Sequence, residues 1–298
     1  MKSKTREELV KIYINSLKEG EIPWKKRWTS SLNINGCTKK EYKGINQLIL
    51  NYMSFKNKYN DNRWFTYLQI KDNNWKLNNA KGKGVPVEFW SVYDIKNKRK
   101  INYEEYNKII NEKPEEIDNY KLFCNTSYVY NADLIDGVPE KKYVKNNISQ
   151  NKEIKKLIKK LEVGYEEHGN RAYYSPYEDK IVLPEKEKFI DDYSYFATQL
   201  HEICHSTGHG KRLNRNLLSN DKKDYAREEL IAEISSSFLM QKLNVNINAN
   251  HIDNHKSYIK SWIQLLEDKP QELFNAITEA NKVFEYINEK NKLKERER

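Results

Sequence analysis

Cysteine is scarce in this sequence. Only Cys37, Cys124 and Cys204 occur in 298 residues, too few and too scattered for the disulfide framework of a small secreted domain. Long apolar runs are missing too: nothing approaches the roughly 20 residues that a membrane span requires. The opening residues, MKSKTREELV, lack the apolar stretch of a secretory signal. These absences point to a protein of a reducing cytoplasm with no membrane partner. What is present, 38% apolar and 12% aromatic residues, is enough to fill real cores despite 32% charge, so wholesale disorder is excluded. The length leaves room for two domains of ordinary size.

The net charge of +10 is unevenly divided. Residues 1–150 hold 28 Lys+Arg against 18 Asp+Glu, whereas residues 151–298 hold 25 of each. Within residues 1–100 the tally is 22 against 9, and the same stretch carries five of the six tryptophans. Basic charge attracts phosphates, and exposed rings offer faces on which unstacked bases can lie. The candidate contacts are Trp24, Lys25, Arg27, Trp28, Lys40, Tyr42, Arg63, Trp64, Lys81 and Lys83. No duplex-reading helix motif accompanies them, so the expected partner is single-stranded DNA.

Periodicity predicts a helix over 4–19, then short mixed segments to about residue 94, among them the strand-like GVPVEFWSVYD. Residues 95–119 are charged and read as an excursion away from any core. YVYNADLIDGVP returns to strand character, and the apolar-poor EKKYVKNNISQNKE marks a boundary, dividing the chain into 1–145 and 146–298. The second half reads as a short helix, a hairpin in RAYYSPYEDKIVLP, and helices near 190–207, 226–243, 255–267 and 270–291. The expected fold class is α+β: a mixed α+β DNA-binding domain, then a mostly helical domain with a small sheet.

The sharpest chemical signal is His201-Glu202-Ile203-Cys204-His205, an HExxH pattern in a chain with six histidines. On a helix, residues four apart share a face, so His201 and His205 can hold one metal ion while Glu202 takes a proton from water. A catalytic zinc needs a third protein ligand and an open position. The next helical pattern, REELIAE, offers Glu229 as that ligand, with Glu233 placed to fix an imidazole tautomer. Exchange of those two roles stays open, and Glu228 comes third. His209 lies two turns beyond His201, about 12 Å along a continuous helix, and reads as a group beside the substrate or behind the ligands. Cys204 reads as a small buried residue facing away from both histidines.

Taken in order, IPWKKRW, EYKGINQLIL, NRWFTYLQI, AKGKGVPVEFW and YVYNADLIDGVP resemble the N-terminal domain of ArdC-type antirestriction proteins, found also ahead of some plasmid primases. YYSPYEDKIVLPEKEKFID, YFATQLHEICHSTGHGKRLNR and YAREELIAEISSSFL resemble the zinc metallopeptidase domain that accompanies it. The resemblance implies a protein of conjugative or integrative elements whose first domain binds single-stranded DNA and shields it from host restriction. It also implies a gluzincin-like zinc site, with His201 and His205 as ligands, Glu202 as general base and a Glu of EELIAE completing the set, acting on an unidentified protein substrate. Two departures stand out: LNINGCTKKEY replaces a Pro-containing stretch, and Asn78-Asn79 replaces a basic residue ahead of AKGKG. Tyr225 and His209 are the candidates for stabilising an oxyanion. Two rival readings use the same residues: a DNA-coating protein with a structural or inactive metal site, and a regulatory peptidase activated by DNA.

Overall fold

The computed structural model describes residues 4–20, 31–141, 150–219, 221–243, 245 and 256–292. Helix α1 (Lys4–Lys18) buries Leu9, Val10, Tyr13 and Leu17, the stripe that its apolar spacing dictates. Strand β1 (Ile34–Asn35) folds back through a turn in which Asn35 receives the Lys39 amide, with Ile34 bridging Glu41. Helix α2 (Gly44–Asn57) follows and ends at Lys58, whose left-handed backbone donates to Phe55 and Ser54 carbonyls.

A mixed segment comes next, with β2 (Arg63–Thr66), α3 (Tyr67–Asp72), β3 (Lys76–Leu77), β4 (Val85–Asp94), β5 (Arg99–Ile101), α4 (Tyr103–Glu112), β6 (Tyr120–Asn131) and β7 (Ile135–Asp136). Thr66 and Gln69 form a reciprocal capping box at the start of α3. Strands β2, β6, β4 and β5 lie side by side in that order, all antiparallel. The long β4–β6 ribbon keeps one register from Val85↔Val129 to Asp94↔Tyr120. Phe65, Ile70, Ala132 and Ile135 make one core, against which Trp75 packs. Gly137 closes that turn with φ +97°, and a Cβ there would lie 2.8 Å from the Trp75 ring, so no other residue fits.

Residues 95–119 are not an excursion. They supply β5 and α4, and Ile101 and Tyr106 bury Val92 of β4 in a second core. The charges that made the segment look solvated are spread over the β4–β5 turn, β5, α4 and the turn after it, and α4 is capped by the Asn102 side chain on the Glu105 amide.

The remainder holds α5 (Gln150–Leu161), β8 (Gly164–Glu167), β9 (Tyr173–Ser175), β10 (Lys180–Leu183), α6 (Asp192–Ser206), α7 (Lys222–Lys242), α8 (Lys256–Asp268) and α9 (Gln271–Lys292). Strand β10 pairs parallel with β8 and antiparallel with β9. Helix α7 is central, packed by α6, α8 and α9, and nearly every residue from Ala226 to Gln241 is buried. Its polar run Ser235-Ser236-Ser237 is accommodated because each hydroxyl donates to a carbonyl of the preceding turn, at 2.7–3.0 Å. No described helix is long and apolar enough to cross a membrane.

Compactness divides the chain differently from a cut near residue 146. Residues up to Arg63 group with those from Pro139 onward, and Trp64–Val138 form the other unit. The reason lies in α1 and α2. Helix α1 packs on α8 and α2 on α9, and a buried amide network joins Asn33, Gln47 and Asn51 to Gln241 of α7, with Gln47 Nε2 donating to Gln241 Oε1 at 2.9 Å.

Candidate metal centre

Helix α6 begins at Asp191, whose carboxylate accepts the Ser194 amide at 2.8 Å. It buries Tyr195, Phe196, Leu200 and Ile203, which turns His201 and His205 together toward α7. Their Nε2 atoms lie 3.0 Å apart. From α7, Glu229 brings Oε2 to 3.3 Å from His201 Nε2 and Oε1 to 3.6 Å from His205 Nε2. These three residues form a set whose ligand atoms all lie within 4.8 Å of one another.

The donors fit a divalent cation. Bonds of about 2.1 Å in a tetrahedron place ligand atoms about 3.4 Å apart, and the three observed separations bracket that spacing. Glu229 Oε2 is buried without a hydrogen-bond partner, an arrangement that costs free energy unless something positive completes it. Burial alone would raise the Glu229 carboxyl pKa, but His201 and His205 hold it well below the carboxylate range. For His205, burial favours the neutral ring, yet Glu228 and Glu229 outweigh it and push the pKa up to about 9.

Glu202 sits beside the set, 7% exposed. Burial raises its pKa against the opposing pull of the two imidazoles, and it accepts the Tyr174 backbone amide of β9. Glu233 Oε2 lies 3.7 Å from His201 Nδ1, an electrostatic contact longer than a hydrogen bond. Glu228, ranked third from the sequence, has a distinct place: its Oε1 is 3.1 Å from His205 Nδ1. Arg215 grips Glu228 with Nε at 2.9 Å and Nη2 at 2.7 Å and also holds the Cys204 carbonyl and the Thr207 hydroxyl. Sequence reasoning missed Arg215; its one signal was a second arginine, after Arg212, in the loop following the histidines. Cys204 is fully buried, its thiol pushed up to about 12 by burial, as expected of a packing residue.

His209 lies outside the three-residue set. It follows the end of α6, accepts the Lys211 amide at 3.2 Å and stands 3.7 Å from Asp179. Tyr225, on the first turn of α7, is 53% exposed.

The nucleic-acid candidates fare differently. Trp24, Lys25, Arg27 and Trp28 lie outside the described residues. Trp64 is fully buried and is core, not a stacking platform; an indole flanked by apolar strand residues is stabilised more by burial than by a base. The Arg63 guanidinium is engaged by Asp61 at 2.7–3.0 Å. Lys40 and Lys81 are exposed, while Tyr42 and Lys83 are half-buried. Charge and rings also separate: residues 1–63 hold 14 Lys+Arg against 6 Asp+Glu, whereas 64–138 hold 11 of each. The exposed aromatic side chains Phe89, Trp90, Phe123 and Tyr128 belong to the neutral unit.

Two family models match the chain in succession. The N-terminal domain of anti-restriction factor ArdC covers residues 3–130, and a zincin-like metallopeptidase covers 152–279. Two Escherichia coli proteins named DNA primase TraC are each 32% identical, over 92% and 96% of this chain. The chain spans only 19% and 27% of their lengths. The uncharacterized protein y4eC of Sinorhizobium fredii is 27% identical over 85% of this chain and 80% of its own. The metal-free crystal structure of the antirestriction ArdC protein of plasmid R388 superposes with a TM-score of 0.74 at 27% identity, covering 97% of this chain and 98% of that one. The Mn(II)-bound structure of that plasmid protein gives 0.73 at 28%, covering 96% and 97%. With both domains matched in order and a solved relative aligned end to end, the chain belongs to the ArdC antirestriction type, its C-terminal part a zincin-like metallopeptidase domain.

Proposed function

We propose that this protein binds single-stranded DNA of a mobile, conjugating element, protects it from host restriction, and carries a zinc-dependent site that hydrolyses peptide bonds. The observation that carries the catalytic part is the convergence of His201, His205 and Glu229 with buried Glu202 alongside.

Zinc or another divalent cation held by those three residues supplies Lewis acidity toward water and the scissile carbonyl. Glu202 accepts the proton of the attacking water, its raised pKa moving it toward the neutral range in which a carboxylate can both take and return a proton. It then delivers that proton to the leaving amine. Glu228 accepts a hydrogen bond from His205 Nδ1–H, leaving Nε2 free to donate its lone pair. The DNA part rests on the ArdC relatives and on the basic excess of residues 1–63.

The test is Glu202→Ala in the full chain, loaded with zinc or manganese and offered protein substrates. Loss of proteolysis with metal and DNA binding retained supports the reading. Absence of proteolysis by the unmutated protein with every metal and substrate tried removes the peptidase part, and equal affinity for single and double strands removes the DNA part.

A further inference from the structure

The β4–β6 ribbon has two faces, and the register assigns each residue to one of them. In antiparallel strands, directly paired residues share a face and the face alternates at each step. Pairing of Val92 with Leu122 and Ile101 puts these on one face, with Asp94 and Tyr120. Tyr106, Ile109 and Ile110 of α4 cover that face near the end of the ribbon.

Among the described residues the opposite face is open only at this same end, for further along the ribbon its Val85, Val87, Val129 and Trp64 are buried. Its end row is Lys100, Tyr93 and Lys121, across β5, β4 and β6. The next row is Ser91 with Phe123, and the third is Phe89 with Asn125. Phe89 is 52% and Phe123 49% exposed, and Lys100, Lys121 and Asn125 are exposed as well. Large rings turned to water on adjoining rows mark a binding surface more than a chance of composition.

The charge on this face identifies the occupant. None of its seven positions is acidic, and both carboxylates of β4, Glu88 and Asp94, alternate to the other face, where they are buried. Six of the unit's eleven acidic residues belong to α4 and the segment after it, at 104, 105, 112, 115, 116 and 118. Thus a unit with no net charge presents lysines beside open rings. Between the rings, the Asn125 amide and Ser91 hydroxyl are joined at 3.1 Å and can meet base edges. A protein partner would match the rings but gives no reason for a carboxylate-free rim; a duplex would bury its bases away from the rings.

We propose that this face, Phe89, Ser91, Tyr93, Lys100, Lys121, Phe123 and Asn125, is a single-stranded nucleic-acid platform: bases stack on Phe89 and Phe123, and Lys100 and Lys121 receive the phosphates. The inference rests on the single-strand reading above and gives it a location that sequence reasoning did not foresee.

The full chain is titrated with fluorescein-labelled oligothymidylate across a salt series. The expected result for Phe89→Ala/Phe123→Ala is at least about tenfold weaker binding with the salt slope kept, since no phosphate contact is removed. Lys100→Gln/Lys121→Gln should instead flatten the slope by about 1.4, near 0.7 for each phosphate lost. An oligonucleotide with abasic sites should bind the unmutated protein and the double Phe variant equally. All seven side chains lie on the surface of the sheet, and unchanged thermal melting verifies that the variants are folded. If the unmutated protein binds single strands and the folded double Phe variant binds them as tightly, the platform is overturned while the DNA reading survives. If the unmutated protein binds no oligonucleotide, both fall.

Discussion

Arg215 and Glu228 form a two-pronged ion pair behind the candidate metal centre. The guanidinium meets both carboxylate oxygens, at 2.9 and 2.7 Å, and the oxygen nearer to Nη2 also faces His205 Nδ1 at 3.1 Å. Both partners are nearly buried, with side chains 7% and 10% exposed, so the fork is held in place by packing. Burial would raise the Glu228 pKa, but Arg215 and His205 lower it overall. An ionised Glu228 keeps the His205 proton on Nδ1 and points Nε2 at the cation position.

Glu228→Gln is therefore expected to weaken zinc affinity about 10- to 100-fold without removing a ligand. Arg215→Lys should fall in the same range, because a lysine is a single point charge and cannot make the fork. Chelator competition reads both affinities without any assay of activity. Wild-type affinity in Glu228→Gln would show that the imidazole is oriented by something else.

Asp179, in the β9–β10 turn, is the partner of Arg212, whose side chain is 4% exposed. Arg212 also holds the Ser206 carbonyl at 2.7 Å and the Leu161 carbonyl at 3.2 Å, so it ties the end of α6 to the hairpin. Burial raises the Asp179 pKa, but Arg212, the Tyr174 hydroxyl and nearby His209 lower it on balance. A lowered folded-state pKa contributes stability that is present above the unfolded carboxyl value and is lost as pH falls through the folded one. Acid denaturation below about pH 4 should consequently be shallower in Asp179→Asn. At neutral pH that variant should lose about 3–5 kcal/mol, the typical result of leaving a buried arginine unpaired. Urea unfolding at several pH values measures both effects, and an acid limb as steep as in the unmutated protein would refute the first.

The amide network between α2 and α7 makes the N-terminal segment part of the fold that carries the metal site. Gln47 donates to both Asn51 and Gln241 and accepts the Asn33 backbone amide. Gln47→Leu removes its side of all three bonds inside a closed interface, and buried polar groups left unsatisfied cost about 1–3 kcal/mol each. Urea titration should show that loss. A fragment beginning after residue 145 should be less stable still, because it exposes the surfaces of α8 and α9 on which α1 and α2 pack. Equal stability of fragment and whole chain would contradict this arrangement.

The helices were legible because their apolar spacing is long and regular: α1, α6, α7, α8 and α9 fall within a few residues of their expected positions. The convergence of His201, His205 and Glu229 was legible because residues four apart share a helix face and the next helical pattern offers a carboxylate. Three things were hidden. The first half of β6, KLFCNTS, is too polar to read as a strand, since only its pairing with β4 orders it. The α1 and α2 contacts with the C-terminal helices depend on residues more than 190 positions apart, which no local pattern reports. Trp64 and Phe89 both stand in short aromatic segments of the sequence, and their β6 partners Asn131 and Asn125 put them on one face of the sheet, yet one is sealed and the other 52% exposed; which part of that face is covered decides, and that is a tertiary fact.

Metal binding should be linked to folding. A cation that binds only the folded site stabilises it in proportion to the logarithm of its concentration, by about 2.7 kcal/mol at a hundred times Kd. Thermal melting of the protein stripped with chelator should therefore move upward steadily as zinc or manganese is added. His201→Ala removes one ligand and should abolish that dependence. Glu202→Gln should retain it, because Glu202 lies outside the three-residue set. The comparison separates the two acidic roles on adjoining helices: loss of the metal-dependent shift in Glu202→Gln would make Glu202 a ligand, whereas loss in Glu229→Gln alone leaves it the proton carrier.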